Sequence, residues 1–191
     1  ILCSIGIIKG QTVSDSLVIM SARWKVESPQ KGIIHKYASI PQLYQGPQSI
    51  SLIEIDPVAG LKVGVAVSDE MKETSRIASE HRGIAAINGS YFDMKRGNSV
   101  CFLKVGNQVV DTTTLSECKL RVTGAMHVHK GKIKLIPWSR QIEKEYKGET
   151  GIVLASGPLM LKDGQICDWN SCGTNFIRTK HPRSAVATTK E

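Results

Sequence analysis

The chain has 191 residues, of which 41% are hydrophobic, 22% charged and 5% aromatic, and its net charge is +8. This length suits one folded domain with a short appendage, and the composition excludes an intrinsically disordered protein. The positive charge favours anionic partners, but the lysines and arginines are scattered and form no block. We therefore expect a solvated basic surface and no nucleic-acid partner.

The first residues form an apolar run, ILCSIGII, which is too short to span a bilayer. It resembles the end of a secretory signal segment, and a buried N-terminal strand accounts for it equally well. After Cys3 the cysteines form an even set: Cys101, Cys118, Cys167 and Cys172. Such a set suits two disulfides in an exported protein, and its spacing matches no recognised zinc site. We therefore predict a secreted or periplasmic protein with no bound metal and no stable membrane insertion.

The next predicted elements lie between residues 50 and 88. The pattern of residues 50–67, ISLIEIDPVAGLKVGVAV, predicts two strands joined by a turn, because alternating apolar residues flank turn formers. Ser68 is predicted to cap a helix that runs to about Arg82. Residues 84–88, IAAIN, are predicted to form a short buried strand that ends at the turn Asn88-Gly89.

Three later segments share one pattern, an apolar strand followed by a glycine-containing turn and a second apolar strand. They are CFLKVGNQVV, MHVHKGKIKLI and LMLKDGQIC. The polar residues 138–150 predict a connector or short helix, and SAVATTKE at residues 184–191 predicts a further strand. Together these elements predict an α+β fold with a hairpin-rich mixed β-sheet core and few helices.

The stretch NGSYFD, residues 88–93, sets polar groups and aromatic rings at the end of the predicted buried strand. Asn and Gly tolerate positive φ, so Asn88-Gly89 by itself would be a structural turn. Ser90 and Tyr91 add groups that suit a polar ligand such as a sugar. Asp93 is a general base, a carboxylate that binds a hydroxyl group, or a cap for the loop that follows.

Two further positions are unusual for their surroundings. Glu54 stands in an apolar strand, so its carboxylate is paired or functional if it faces the interior, and unremarkable if it faces solvent. In ASGPLMLKDG, residues 155–164, Gly157 permits close approach of the backbone to another group. A plain loop before a strand accounts for Gly157 equally well.

The segment His181-Pro182-Arg183 is the third candidate for ligand binding. Proline stiffens it, and the guanidinium of Arg183 can clamp a phosphate or carboxylate with two parallel hydrogen bonds. An edge-strand arginine paired with a surface acid is the alternative. His127 and His129 share one face of a predicted strand, but no third metal ligand is near them in the sequence, so we expect exposed hairpin histidines.

The motifs AAINGSYFD, ASGPLMLKDG and HPRSAVA, in this order, resemble the phosphodiester glycosidase family over roughly residues 50–191. The N-G-G-F-F-D turn of that family corresponds to residues 88–93, its G-P-L segment to 157–159 and its H-P-R-T-A segment to 181–185. The family pattern continues with a D-G-R segment and a D-G-G-G-S loop, neither of which occurs in this sequence. We therefore expect a chain truncated at its C-terminal end.

The resemblance implies a domain at residues 50–191, incomplete at its C-terminus, after an N-terminal segment at residues 1–49. It implies cleavage, without a cofactor, of the bond between a sugar C1 and a phosphate oxygen in a carbohydrate phosphodiester, as in release of N-acetylglucosamine. The implied catalytic residues are Asp93 or Glu54 as the carboxylate and Arg183 on the phosphate side. The implied substrate-binding residues are Asn88, Gly89, Ser90, Gly157 and His181.

Two other functions fit the same sequence. One is a glycan-binding or cell-envelope module that keeps the family fold without catalysis. The other is a protease inhibitor or another interaction domain whose hairpins present a recognition edge. A nucleotide cofactor is not expected, because neither a G-x-G-x-x-G nor a G-x-x-x-x-G-K-[ST] pattern is present.

Overall fold

The structure, a computed structural model, describes residues 13–68, 70–148 and 150–189. It divides into two compact units, the first ending at Leu61 and the second beginning at Lys62. The apolar run at the start of the sequence lies outside the described residues, so both interpretations of that run stay predictions.

In its described residues, 13–61, the first unit contains one helix and a three-stranded antiparallel sheet in the order β1-β2-β3. Its elements are α1 (Val13–Met20), β1 (Lys25–Gln30), β2 (Ile33–Ile40) and β3 (Gln48–Ile55). The turn between β1 and β2 uses Gly32 at a φ of 82°, a conformation that glycine adopts without steric cost. A small core of Ala38, Ile40 and Leu43 closes the unit against half-buried residues of the helix and sheet.

The second unit contains a five-stranded antiparallel sheet in the order β5-β4-β8-β6-β7 and a separate two-stranded hairpin. Its strands are β4 (Leu103–Gly106), β5 (Gln108–Asp111), β6 (Gly124–His129), β7 (Lys132–Pro137), β8 (Gly151–Ser156), β9 (Leu161–Lys162) and β10 (Gln165–Ile166). Its helices are α2 (Thr74–Glu80), α3 (Leu115–Leu120), α4 (Arg140–Glu145) and α5 (Thr174–Arg178).

The three predicted hairpins are confirmed as β4-β5, β6-β7 and β9-β10. The last two turn at Lys130-Gly131 and Asp163-Gly164, where both residues of each pair have positive φ. Two-residue hairpin turns of this kind match the right-handed twist of the strands that they join. The short helix predicted within residues 138–150 is α4, whose first turn is capped by the hydroxyl of Ser139. The fold class, β-rich α+β with short helices, is therefore confirmed.

An aromatic core on one face of the five-stranded sheet supports the loops described below. Phe102 and Trp138 pack with ring centroids 5.2 Å apart, and both contact Tyr146. Beneath them lie small or β-branched residues of the central strand, including Val153 and Ala155, which are fully buried. Such close packing fixes the position of the partly buried residues at the edge of the core, Tyr91 among them.

Several predicted elements are wrong. Residues 61–67 form no strand, since β3 pairs with β2 and not with the segment after it. The predicted helix starting at Ser68 is shorter and spans Thr74–Glu80. The segments 84–88 and 184–189 are neither strands nor buried, and Ile84 and Ile87 remain 52% and 47% exposed. A strand needs a partner, and in the described sheet β4 and β6 occupy both sides of the central strand β8.

The cysteines that were expected to form two disulfides are free thiols in the structure: Cys101, Cys118, Cys167 and Cys172. Cys101 and Cys172 are buried, and the other two are partly buried. Burial raises the pKa of the Cys101 thiol to about 12, so this group stays protonated at neutral pH. None of the helices that the structure describes has the length and hydropathy needed to cross a membrane.

Candidate active site

The first motif ends in a closed loop between Tyr91 and Val100. The backbone N–H of Val100 donates to the carbonyl of Tyr91 at 3.0 Å, and that of Asp93 donates to the carbonyl of Asn98 at 2.9 Å. Ser90 adds a hydrogen bond of 2.9 Å between its hydroxyl and that of Ser99. The loop therefore has its own hydrogen-bond network, which holds Tyr91 at the edge of the aromatic core.

Asp93 caps this loop. Its Oδ1 accepts hydrogen bonds from the backbone N–H groups of Lys95 at 2.7 Å and Arg96 at 3.0 Å. These two bonds lower the pKa of the Asp93 carboxyl below its ordinary value, because they stabilise the ionised form. The cap was one of the three alternatives that the sequence left open, and a catalytic role for the same carboxylate stays a prediction.

The second motif meets the first through Tyr91 and Gly157. The hydroxyl of Tyr91 donates a hydrogen bond of 2.6 Å to the carbonyl oxygen of Gly157. A Cβ atom on Gly157 would lie 2.2 Å from the carbonyl oxygen of Arg121 and 2.8 Å from the backbone nitrogen of Thr123. The predicted close approach of the backbone at Gly157 is thus present, and it requires glycine because the neighbouring atoms belong to the main chain.

The Asn88-Gly89 pair differs from its prediction. Neither residue is among the described residues with positive φ, so this is not the left-handed turn that the sequence suggested. Gly89 instead allows close contact with the central strand, since a Cβ there would lie 2.9 Å from Cδ2 of Leu154. Glycine leaves room for this side chain at position 89, and no positive φ requires it.

Arg183 of the third motif binds the end of α5. Its Nη2 donates to the carbonyl oxygens of Phe176 at 2.7 Å and Thr179 at 3.0 Å. The guanidinium carbon lies 4.4 Å from the centroid of the Phe176 ring, a cation–π distance. The arginine therefore satisfies carbonyls at a helix C-terminus, where a positive charge is also favourable. This differs from the edge-strand pairing that the sequence offered as an alternative.

Ser184 connects the third motif to the first. Its hydroxyl donates a hydrogen bond of 2.5 Å to Oδ1 of Asn88, which is 96 residues away in the chain. The ring of Phe176 also meets that of Tyr91 edge to face, with centroids 6.0 Å apart. Through these contacts the structure brings all three motifs together in the second unit.

Two of the predicted site residues stand apart from these contacts. Glu54 belongs to the first unit, where its Oε1 accepts a hydrogen bond of 2.6 Å from Nζ of Lys36. It shares a strand face with Leu52, which is 43% exposed, so the carboxylate is a paired group on a solvated face. His181 is exposed, directly before the rigid Pro182.

An ion pair that the sequence motifs did not predict lies at the centre of this arrangement. Arg121 donates to Glu117 through Nε at 2.6 Å and through Nη2 at 2.8 Å. Its guanidinium carbon lies 3.9 Å from the centroid of the Tyr91 ring and 5.2 Å from that of Phe176. The hydrogen bond to Glu117 raises the pKa of Arg121, and burial raises that of Tyr91. The spacing of four residues between Glu117 and Arg121 could have predicted this pair, because residues at that spacing share one face of a helix.

The described residues contain no group of three His, Cys, Asp or Glu side chains that could hold a metal ion. His127 and His129 do share a face of β6, with ring centroids 6.1 Å apart. They are partly buried and not exposed as expected, because β6 lies inside the sheet between β8 and β7.

The fold defines a β-rich α+β protein, and its candidate site is polar, contains arginines and is built from three loops. A family model described as phosphodiester glycosidase matches residues 81–191, a range that includes all three motifs. The chain belongs to the phosphodiester glycosidase family. Searches among curated proteins and among solved structures give no significant match. The predicted domain boundary at residue 50 stays a prediction.

Proposed function

We propose that the protein hydrolyses the bond between a sugar C1 and a phosphate oxygen in a carbohydrate phosphodiester such as one of N-acetylglucosamine. Family membership supports the class of reaction. The observation that carries the proposal is the convergence of the three motifs through the Tyr91–Gly157 and Ser184–Asn88 hydrogen bonds. Residues from distant parts of the chain can contact one ligand when the fold brings them to one place.

Arg183 is the proposed phosphate-side cation. A phosphate ester is already a good leaving group, so compensating its charge contributes more than protonating it. Cation–π contact with Phe176 holds the guanidinium in one orientation, and Nη2 binds the two carbonyls. Within the described part of the chain, Nε and Nη1 have no acceptor and remain as donors for a ligand. Exposed His181 lies two residues earlier and adds a further donor on the phosphate side.

Asp93 is the carboxylate candidate within the second unit. Its lowered pKa keeps it ionised at neutral pH, which suits a group that supports an oxocarbenium-like centre or activates water. Its loop-capping hydrogen bonds use Oδ1, and none of the residues that the structure describes donates to Oδ2, which leaves that oxygen for a ligand. Asn88 would orient a sugar hydroxyl, and Gly89, Ser90 and Gly157 would shape the surrounding loops. Glu54 is the alternative carboxylate.

Release of free sugar from an α-linked N-acetylglucosamine-1-phosphodiester tests the proposal. We expect turnover by the wild type and a loss of at least about 100-fold in Asp93→Asn. Arg183→Ala should also lose activity, whereas Glu54→Gln should retain it if Asp93 is the carboxylate. If Glu54→Gln loses activity and Asp93→Asn retains it, Glu54 is the carboxylate. Melting temperatures of all variants provide the control for folding.

A glycan-binding module without catalysis is the second candidate function. The observation that favours it is the use of Asp93 in its own loop cap, a structural role that needs no substrate. This module would bind the phosphodiester without releasing sugar, and Asp93→Asn would then leave affinity nearly unchanged.

Export to the cell exterior or periplasm belongs to both versions of the proposal, and fractionation of cells that express the chain tests it.

A further inference from the structure

The two arginines of the site differ in the hydrogen-bonding edges that they leave for a ligand. A guanidinium can hold a phosphate with two parallel N–H···O bonds along either of two edges, Nε with Nη2 or Nη1 with Nη2. Nη2 belongs to both edges. An arginine whose Nη2 hydrogens are both engaged therefore has no complete edge left for a bidentate contact.

Arg183 is in that position. Its Nη2 donates to two carbonyl oxygens, of Phe176 at 2.7 Å and of Thr179 at 3.0 Å. Its remaining donors, on Nε and Nη1, point along different directions of the planar group. Arg183 can give a phosphate its charge and a single hydrogen bond, but not two parallel hydrogen bonds.

Arg121 has the complementary arrangement. Glu117 takes its Nε/Nη2 edge with hydrogen bonds of 2.6 and 2.8 Å. Its Nη1/Nη2 edge has no acceptor among the residues that the structure describes. The side chain is 26% exposed, so a ligand can reach it, whereas that of Glu117 is only 10% exposed. Glu117 thus orients the guanidinium and leaves one complete edge available.

The position of Arg121 relates it to all three motifs. Its guanidinium stacks on the ring of Tyr91 at 3.9 Å, and its backbone carbonyl lies against Gly157. The ring of Phe176 is in contact with the guanidinium groups of both Arg121 and Arg183. Two cations next to one aromatic ring repel each other, and Glu117 balances the charge of Arg121 alone, so an anion that contacts both guanidinium groups offsets this repulsion.

We infer that Arg121, oriented by Glu117, supplies the bidentate contact to the phosphate group of the ligand, and that Arg183 adds charge and one hydrogen bond. The identity of the anion as a sugar phosphate rests on the proposed function. Anion binding at Arg121 does not depend on turnover, so the two can be tested separately.

Titration of the full chain with N-acetylglucosamine-1-phosphate, followed by NMR, measures the contact. Arg121→Lys keeps the positive charge but removes the guanidinium edge that donates two parallel hydrogen bonds. We therefore expect the affinity for the sugar phosphate to fall about tenfold or more. Arg183→Lys should lose less, because a single hydrogen bond survives the change. Arg140→Lys, at the exposed start of α4, is the matched control and should bind like the wild type. Equal affinity of Arg121→Lys and the wild type would overturn the inference, and so would a wild type that binds no sugar phosphate.

A measurement on the wild-type protein decides the matter if Arg121→Lys does not fold. Phenylglyoxal modifies accessible guanidinium groups, and mass spectrometry locates the modified arginines. We expect N-acetylglucosamine-1-phosphate to protect Arg121 while Arg140 remains reactive, and lack of protection at Arg121 would contradict the inference. Protection without hydrolysis of the phosphodiester would reject the proposed enzyme and keep this contact. Hydrolysis that is unchanged in a folded Arg121→Lys variant would reject this contact and keep the enzyme.

Discussion

The hydroxyl of Tyr91 donates a hydrogen bond of 2.6 Å to the carbonyl oxygen of Gly157, 66 residues further along the chain. This contact joins the loop in which the first motif ends to the loop that precedes the hairpin β9-β10. The Tyr91 ring is half-buried between the aromatic core and the guanidinium of Arg121. It is thus held from both sides, and its hydroxyl couples the two loops.

Tyr91→Phe should destabilise the second unit by about 1–2 kcal/mol, because the partly buried carbonyl of Gly157 loses its partner. Native-state hydrogen exchange of the β8 amides measures that free energy. Tyr37→Phe, measured at the β2 amides of its own unit, is the control, since that hydroxyl makes only an exposed contact of 3.4 Å and should cost less than about 0.5 kcal/mol. Equal effects of the two changes would mean that the Tyr91 contact does not couple the loops.

Alanine at Gly157 should cost more than alanine at Gly89. At Gly157 the new Cβ would meet main-chain atoms of Arg121 and Thr123, which cannot move without distorting the backbone. We expect about 2–3 kcal/mol of destabilisation in urea unfolding. At Gly89 the nearest atom is the end of the Leu154 side chain, which can change rotamer, so about 1 kcal/mol or less is expected. A larger destabilisation by alanine at Gly89 than at Gly157 would show that the contact of Gly89 with Leu154 is the more rigid one.

The Asp93 loop should lose its cap in acid. The folded-state pKa of Asp93 lies below 3.8, the ordinary value for this carboxyl. The cap therefore contributes stability above the pKa of the unfolded chain and loses it as the pH falls through the folded-state pKa. The amide chemical shifts of Lys95 and Arg96 should titrate with a midpoint below 3.8. Asp93→Asn should abolish the step, and a midpoint above the ordinary value would contradict the cap.

Cys101 should resist alkylation in the folded chain. It is fully buried, and its pKa of about 12 leaves almost no thiolate at pH 8. Iodoacetamide at that pH should modify the partly buried Cys167 and leave Cys101 unmodified until urea is added. Mass spectrometry after digestion distinguishes the two sites. Rapid labelling of Cys101 without denaturant would indicate that the aromatic core opens under native conditions.

Local sequence patterns were sufficient for the hairpins. Pairs such as Asp163-Gly164 adopt positive φ at both positions at low cost, so the turn and the register of its short strands follow from a few neighbouring residues. The same holds for α4, where the capping hydroxyl of Ser139 and the helix that it starts are adjacent. Interactions of this kind need no knowledge of the rest of the fold.

Patterns that depend on a distant partner gave wrong predictions. The apolar segment at residues 84–88 has the composition of a buried strand, yet its residues are exposed in the structure. Whether such a segment enters a sheet depends on a free strand edge, and the order β5-β4-β8-β6-β7 leaves none beside the central strand. The composition of residues 84–88 does not specify the order of the strands in the sheet.

The sequence by itself determined the family and the three motifs of the candidate site, because their residue types and order are visible along the chain. Only the tertiary structure decided which side chains meet. It linked Asn88 to Ser184, directed Nη2 of Arg183 to two carbonyl oxygens, and set Arg121 on the Tyr91 ring. Contacts across such separations depend on how the core packs, and the direction of each guanidinium edge depends on the acceptors that packing brings near it.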